Sequence, residues 1–167
     1  TYIVMNGKLE AKFVSLIEEN QRIIHKICKI YANNVEEHQD LFQEIAIQLW
    51  KAYPNYRGNA KFSTWMYSVS LNTAMSLFRK KKVETTQFLM ENHDFKIGVE
   101  NHDKEKIKKM YDAIHQLNDV DKALIMMYLD EREYAEISQI LGITEGNARV
   151  KMNRAKNKLK TLIQKSR

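Results

Sequence analysis

Glu133-Tyr-Ala-Glu-Ile-Ser-Gln-Ile-Leu-Gly-Ile-Thr144 runs directly into Glu145-Gly-Asn-Ala-Arg-Val-Lys-Met-Asn-Arg-Ala-Lys-Asn-Lys158. The first half predicts a short helix, Gly142 supplies the turn, and Thr144 is placed to cap a second helix beginning at Glu145. Ala148, Met152, Ala155, Leu159 and Leu162 recur at helical spacing and mark its inward stripe. The positions between them, Asn147, Arg149, Lys151, Asn153, Arg154, Lys156 and Lys158, are amides and cations. Such side chains reach phosphates and base edges in a major groove, so the stretch predicts a helix-turn-helix directed at duplex DNA. Residues 146–167 hold eight basic residues and no acid, which a solvated helix face does not require.

Upstream, Ile107, Met110, Tyr111, Ile114 and Leu117 define a helix that ends at Asn118-Asp119, where another opens. That next helix is expected to bury Val120, Ala123, Leu124, Met127 and Tyr128. Residues 83–103 lose periodicity and read as a linker that would span up to roughly 70 Å if extended. Two helical units could then reach separate sites.

The N-terminal unit opens with an amphipathic helix from Lys8 to about Asn33, striped by Phe13, Leu16, Ile17, Ile23, Ile24, Ile27, Ile30 and Tyr31. A second helix runs from near Glu36 to just before Pro54, with Leu41, Ile45 and Leu49 inward and Asp40, Gln43, Glu44 and Lys51 on the other side. Phe42, Ile47 and Trp50 lie between the faces, giving more apolar surface than one buried stripe consumes. That face is a candidate protein-docking surface, or the second buried side of a small bundle. Tyr56-Arg57-Gly58-Asn59 predicts a turn, and Ser63 is placed as the N-cap of a third helix that ends in Arg79-Lys-Lys-Lys82. Residues 57–82 hold six basic residues and no acid. Phe62, Trp65 and Tyr67 accompany Ser63, Thr64 and Asn72, a mixture suited to unstacked bases, which stack on aromatic rings and hydrogen-bond through their edges. Trp65 shares a helical register with Val69, Thr73 and Ser76 and is therefore read as a packing residue with one edge at the surface.

The composition is that of an all-α protein: 167 residues with five Gly and one Pro, 44% hydrophobic and 29% charged. The net charge of +6 is unevenly spread, because residues 83–105 carry two basic against six acidic groups and residues 106–145 five against eight. Two cationic stations thus flank an acidic middle, which suggests two grips on one polyanion. The lone Cys28 sits at a core spacing and fits a reducing cytoplasm, and no stretch reaches membrane-spanning length. Five scattered histidines without companion cysteines predict no metal site and no cofactor, and no catalytic constellation is visible, so a non-enzyme without a small-molecule substrate is expected.

Asp40-Leu-Phe-Gln-Glu44 with Leu49-Trp50, then Phe62-Ser-Thr-Trp-Met-Tyr67, Asn72 and Arg79 to Lys82, resembles region 2 of bacterial extracytoplasmic-function sigma factors. Glu136-Ile137, Leu141-Gly-Ile-Thr144 and Arg149-Val-Lys-Met-Asn-Arg-Ala-Lys156 are similar to their region 4. The resemblance implies a promoter-recognition subunit of bacterial RNA polymerase made of three parts. Residues 1–82 would bind core polymerase and the minus-ten element, 83–103 would link, and 104–167 would bind the minus-thirty-five element. It implies polymerase contacts at Asp40, Gln43, Glu44 and Trp50, and minus-ten contacts at Lys61, Phe62, Ser63, Thr64, Trp65, Asn72, Arg79 and Lys80. Glu145, Asn147, Arg149, Lys151, Asn153, Arg154 and Lys156 would face the minus-thirty-five element. An anti-sigma factor is a further implied partner, holding an otherwise cytoplasmic chain at the inner membrane without its own insertion. The sequence departs from the family pattern at Asp130-Glu-Arg-Glu133, where a glycine is frequent, at Ser138, where alanine is usual, and at Asn147, where threonine is common. Two rival readings stand beside this one: a helix-turn-helix regulator that works without polymerase, and a sigma-like module that binds only proteins.

Overall fold

Helix follows helix through the residues described by the computed structural model, 2–84 and 101–166. In order these are α1 (Tyr2–Tyr31), α2 (Val35–Ala52), a 3-10 turn over Tyr53–Asn55, α3 (Phe62–Glu84), α4 (Asn101–His115), α5 (Asp119–Leu129), α6 (Tyr134–Leu141) and α7 (Glu145–Lys165). The caps explain most boundaries. Asn34 accepts from the Glu37 amide to start α2, Asn118 from the Asp121 amide to start α5, and Thr144 from the Asn147 amide to start α7. Gly142 ends α6 in the left-handed region at φ 64°, and its amide and that of Ile143 both return to the Ser138 carbonyl. One expected cap is not used. α3 begins at Phe62 with the Trp65 amide on the Lys61 carbonyl, so Ser63 lies inside the first turn. The linker expected over 83–103 loses its ends to α3 and α4, and residues 85–100 lie outside the described residues.

α1, α2 and α3 pack on one another, and α4, α5 and α6 gather around α7. The two units also meet: α6 lies along α3, and α5 and α4 lie against α1. One continuous apolar core results, running from Phe13, Ile24, Ile27, Leu41 and Ile45 through Met66 and Leu71 to Ile114, Leu124, Ile137 and Met152. α3 is therefore enclosed on several sides, which explains why its sequence mixes apolar and polar residues around the whole circumference. Cys28 is fully buried, and desolvation pushes its thiol up to about 12. α5 corrects the expected inward stripe, since Val120 and Tyr128 face solvent while Ile125 and Met126 are buried. Asp121 is buried and pairs at 2.6 Å with Lys158 of α7, whose side chain stays about half exposed.

Candidate nucleic-acid interface

The turn between α2 and α3 brings four rings together. Tyr56 lies 5.0 Å from Trp65 and 5.6 Å from Phe62, Phe62 lies 5.3 Å from Trp65, and Tyr53 closes the group from beneath. Tyr56 is held by its hydroxyl, which donates to the Ala60 carbonyl at 2.8 Å, and Gly58 makes the intervening bend at φ 73°. Phe62, Ser63 and Trp65 are half-buried, so Trp65 is packed on one side and open on another, as its register implied. Tyr56 was not among the predicted site residues. Its spacing of three from Tyr53, just ahead of a glycine turn, was the available signal.

Lys61, Trp65, Asn72 and Arg79 follow one another at intervals of about one or two turns and so line a single face of α3. Lys61, Asn72, Arg79 and Lys80 are exposed. The adjacent face is occupied. Thr64, only 6% exposed, donates its hydroxyl to Glu136 of α6 at 2.9 Å, and Ser68 approaches the Ile140 carbonyl. Thr64 is thus spent on α6 in this arrangement and is not offered to DNA. Tyr67 is corrected outright as a base-stacking ring: it is fully buried, its hydroxyl donates to Asp130, and the Arg132 guanidinium lies 4.8 Å from its ring centre. Burial, reinforced by Asp130, holds the Tyr67 phenol far above its usual range.

Further polar contacts complete this seam. Lys26 of α1 pairs with Asp130, the Tyr31 hydroxyl donates to the Asp119 carbonyl, and Lys29 lies 4.2 Å from the Tyr111 ring centre. Glu136 is shared with Arg132 at 2.7 Å. Part of the acidic middle of the chain therefore joins the two units, a role the charge pattern did not disclose.

On α2, Asp40 and Gln43 are exposed, and Glu44 accepts from Gln48 at 2.7 Å. Ile47, 47% exposed, continues this ridge one turn on, in keeping with the surplus apolar surface expected on this helix. Trp50 is 37% exposed, its ring centre 4.9 Å from that of Phe13. On the far side of the helix, His38 faces His25 at 3.2 Å rather than joining Asp40 and Glu44.

α7 packs through Ala148, Met152 and Ala155. Glu145, Asn147, Arg149, Asn153 and Arg154 are exposed, whereas Lys151 and Lys156 are half-buried. At 100° per residue Asn147 and Lys151 each lie about 160° around the helix from Arg149, and of the two Asn147 is the more exposed. Val150, 50% exposed between Arg149 and Arg154, is an apolar member of the exposed surface absent from the predicted set.

The fold and its two open cationic helices define a two-part DNA-binding protein. The matches to known families follow the same division: a sigma-70 region 2 model matches residues 16–84 and a sigma-70 region 4 model residues 107–159. The chain is 26% identical to the ECF RNA polymerase sigma factor SigW of Bacillus subtilis, covering 94% of this chain and 91% of that one. It is 23% identical to the RNA polymerase sigma-H factor of Pseudomonas aeruginosa, over 96% and 90% of the two chains. Among solved structures, the sigma factor RpoE of Bartonella quintana, in complex with the anti-sigma factor NepR, superposes with a TM-score of 0.69. That match has 15% identity and covers 96% of this chain and 99% of that one. CnrH, in complex with the cytosolic domain of CnrY, gives a TM-score of 0.69 at 14% identity, over 95% and 91%. The chain belongs to the sigma-70 family, in its extracytoplasmic-function branch, and is a promoter-directing sigma factor. No helix among the described residues is long and apolar enough to cross a membrane.

Proposed function

We propose that the chain docks on core RNA polymerase through the α2 ridge, holds melted promoter DNA on α3 and reads upstream duplex with α7. The observation that carries this reading is that each unit keeps one helix with an open cationic face: Lys61, Trp65, Asn72 and Arg79 lie within the acid-free residues 57–82, and Arg149, Asn153 and Arg154 within the acid-free residues 146–167. Flipping a base costs a few kcal/mol, and stacking on an aromatic ring returns about 1–3 kcal/mol. The Tyr56, Phe62 and Trp65 cluster with the Asn72 amide suits that exchange. The assignment of residues 1–82, 83–103 and 104–167 to core and minus-ten binding, linkage and minus-thirty-five binding belongs to the same proposal.

We take the closed packing of α6 on α3 as a resting form, and its opening on polymerase as the step that frees Thr64. One solved relative was captured with an anti-sigma factor and the other with the cytosolic domain of CnrY, which supports a protein partner of the anti-sigma kind here. Retention of a cytoplasmic chain at the inner membrane by that partner belongs to the same proposal. The chain contributes binding energy to initiation and catalyses no reaction of its own.

Retention of the full chain on core polymerase, followed by run-off transcription, tests the proposal. Specific transcripts are expected, and Asp40→Ala with Glu44→Ala should abolish retention. A chain that core polymerase ignores would overturn it, and tight operator binding without polymerase would favour a free-standing regulator.

A further inference from the structure

Two of the cations that α7 presents are each seated over an aromatic ring contributed by a preceding helix. The Arg149 guanidinium carbon lies 4.2 Å from the centre of the Tyr134 ring, and the Lys156 ammonium lies 3.6 Å from the centre of the Tyr128 ring. Arg149 and Lys156 are seven residues apart, two turns of helix, so both rings flank the same side of α7. Tyr134 is the first residue of α6 and is half-buried against the core, which fixes its ring. Arg149 is exposed and would otherwise sample many rotamers. Attraction of its charge to the ring face leaves the N–H fork free, and that fork must be correctly oriented for two-point contact with a guanine edge.

We propose that Tyr134 is a positioning residue for base readout: its ring pre-orients Arg149 before the helix enters the groove, and Tyr128 does the same for Lys156. The inference rests on the reading of α7 as the duplex-reading helix and adds to it the device that orders its side chains. Its consequence is selective. Loss of the Tyr134 ring face should blur the preference at the base Arg149 contacts and leave the others intact, whereas a purely structural tyrosine would weaken all positions together.

The test uses the full chain on core polymerase and a duplex pool randomised across the upstream element, with sequencing of the bound fraction. Arg149→Ala should flatten the preference at one or two adjacent positions. Tyr134→Leu, which keeps apolar bulk, should flatten the same positions and weaken binding by about 2- to 5-fold, the range of an exposed cation–π contact. Tyr134→Phe should retain both preference and affinity, and in an Arg149→Ala background Tyr134→Leu should add nothing. Three results would overturn the proposal while sparing the reading of α7: no change on Tyr134→Leu, an even loss at every position, or a Phe variant as defective as Leu. An Arg149→Ala variant with unaltered preference would remove both together.

Discussion

Asp130 is the residue on which the closed arrangement can be broken by one substitution. Its carboxylate accepts from the Tyr67 hydroxyl on α3 and pairs with Lys26 on α1, so a single side chain after α5 ties the second unit to two helices of the first. Asp130→Ala leaves the fully buried Tyr67 hydroxyl without its acceptor. An unsatisfied buried hydroxyl costs about 1–3 kcal/mol. The Lys26 ammonium is half-exposed and recovers water, so its loss adds well under 1 kcal/mol. At 1.4 kcal/mol per factor of ten, the ratio of open to closed chains should rise by about 5- to 140-fold. Small-angle scattering reads this directly, because a closed chain of this length has a radius of gyration of roughly 15 Å and a separated pair of units a larger one. The cause is isolated by Tyr67→Phe, which removes the stranded donor. Combined with Asp130→Ala, it should restore much of the closed population. A folded Asp130→Ala chain whose scattering matches the parent would refute the assignment of Asp130 as the latch.

Glu131 adopts φ 55°, a left-handed conformation that costs a side-chain-bearing residue about 1–2 kcal/mol. Glu131→Gly should therefore raise stability by up to about 1 kcal/mol after the flexibility glycine adds to the unfolded chain is subtracted, and Glu131→Val should lower it; urea unfolding checks both signs. The His38 imidazole is held below its usual range by burial and by the neighbouring His25, so the folded chain disfavours the protonated ring. The unfolded chain consequently binds more protons below the ordinary histidine value of 6.5, and stability should fall as the pH drops below it. Thermal unfolding between pH 7.5 and 5.5 should show that dependence, and His38→Gln should lessen it.

The open surfaces were more legible than the buried contacts. Asn72, Arg79, Arg149 and Arg154 emerge exposed, where charge and periodicity put them, because a helix fixes which residues share a face. Thr64 and Tyr67 did not follow that logic. Thr64 meets Glu136 of α6 and Tyr67 meets Asp130 and Arg132 just before it, partners some sixty to seventy positions further along that local spacing does not reveal. The frequent glycine missing from Asp130-Glu-Arg-Glu133 was visible in the chain, but the left-handed turn at Glu131 that explains the usual preference is a property of the folded backbone.

Local chemistry, acting over a few residues, determined the helices, the caps at Asn34, Asn118 and Thr144, the turn at Gly142 and the two acid-free stations. Those features rest on backbone geometry and on charges that are neighbours in the chain, and so they survive without knowledge of the rest. Which acidic groups would meet Lys26, Thr64 and Tyr67, and which rings would lie beneath Arg149 and Lys156, was decided by helix packing. Apolar stripes dictate burial without naming a partner, and the polar pairs along a seam are chosen only when two helices have come to lie side by side.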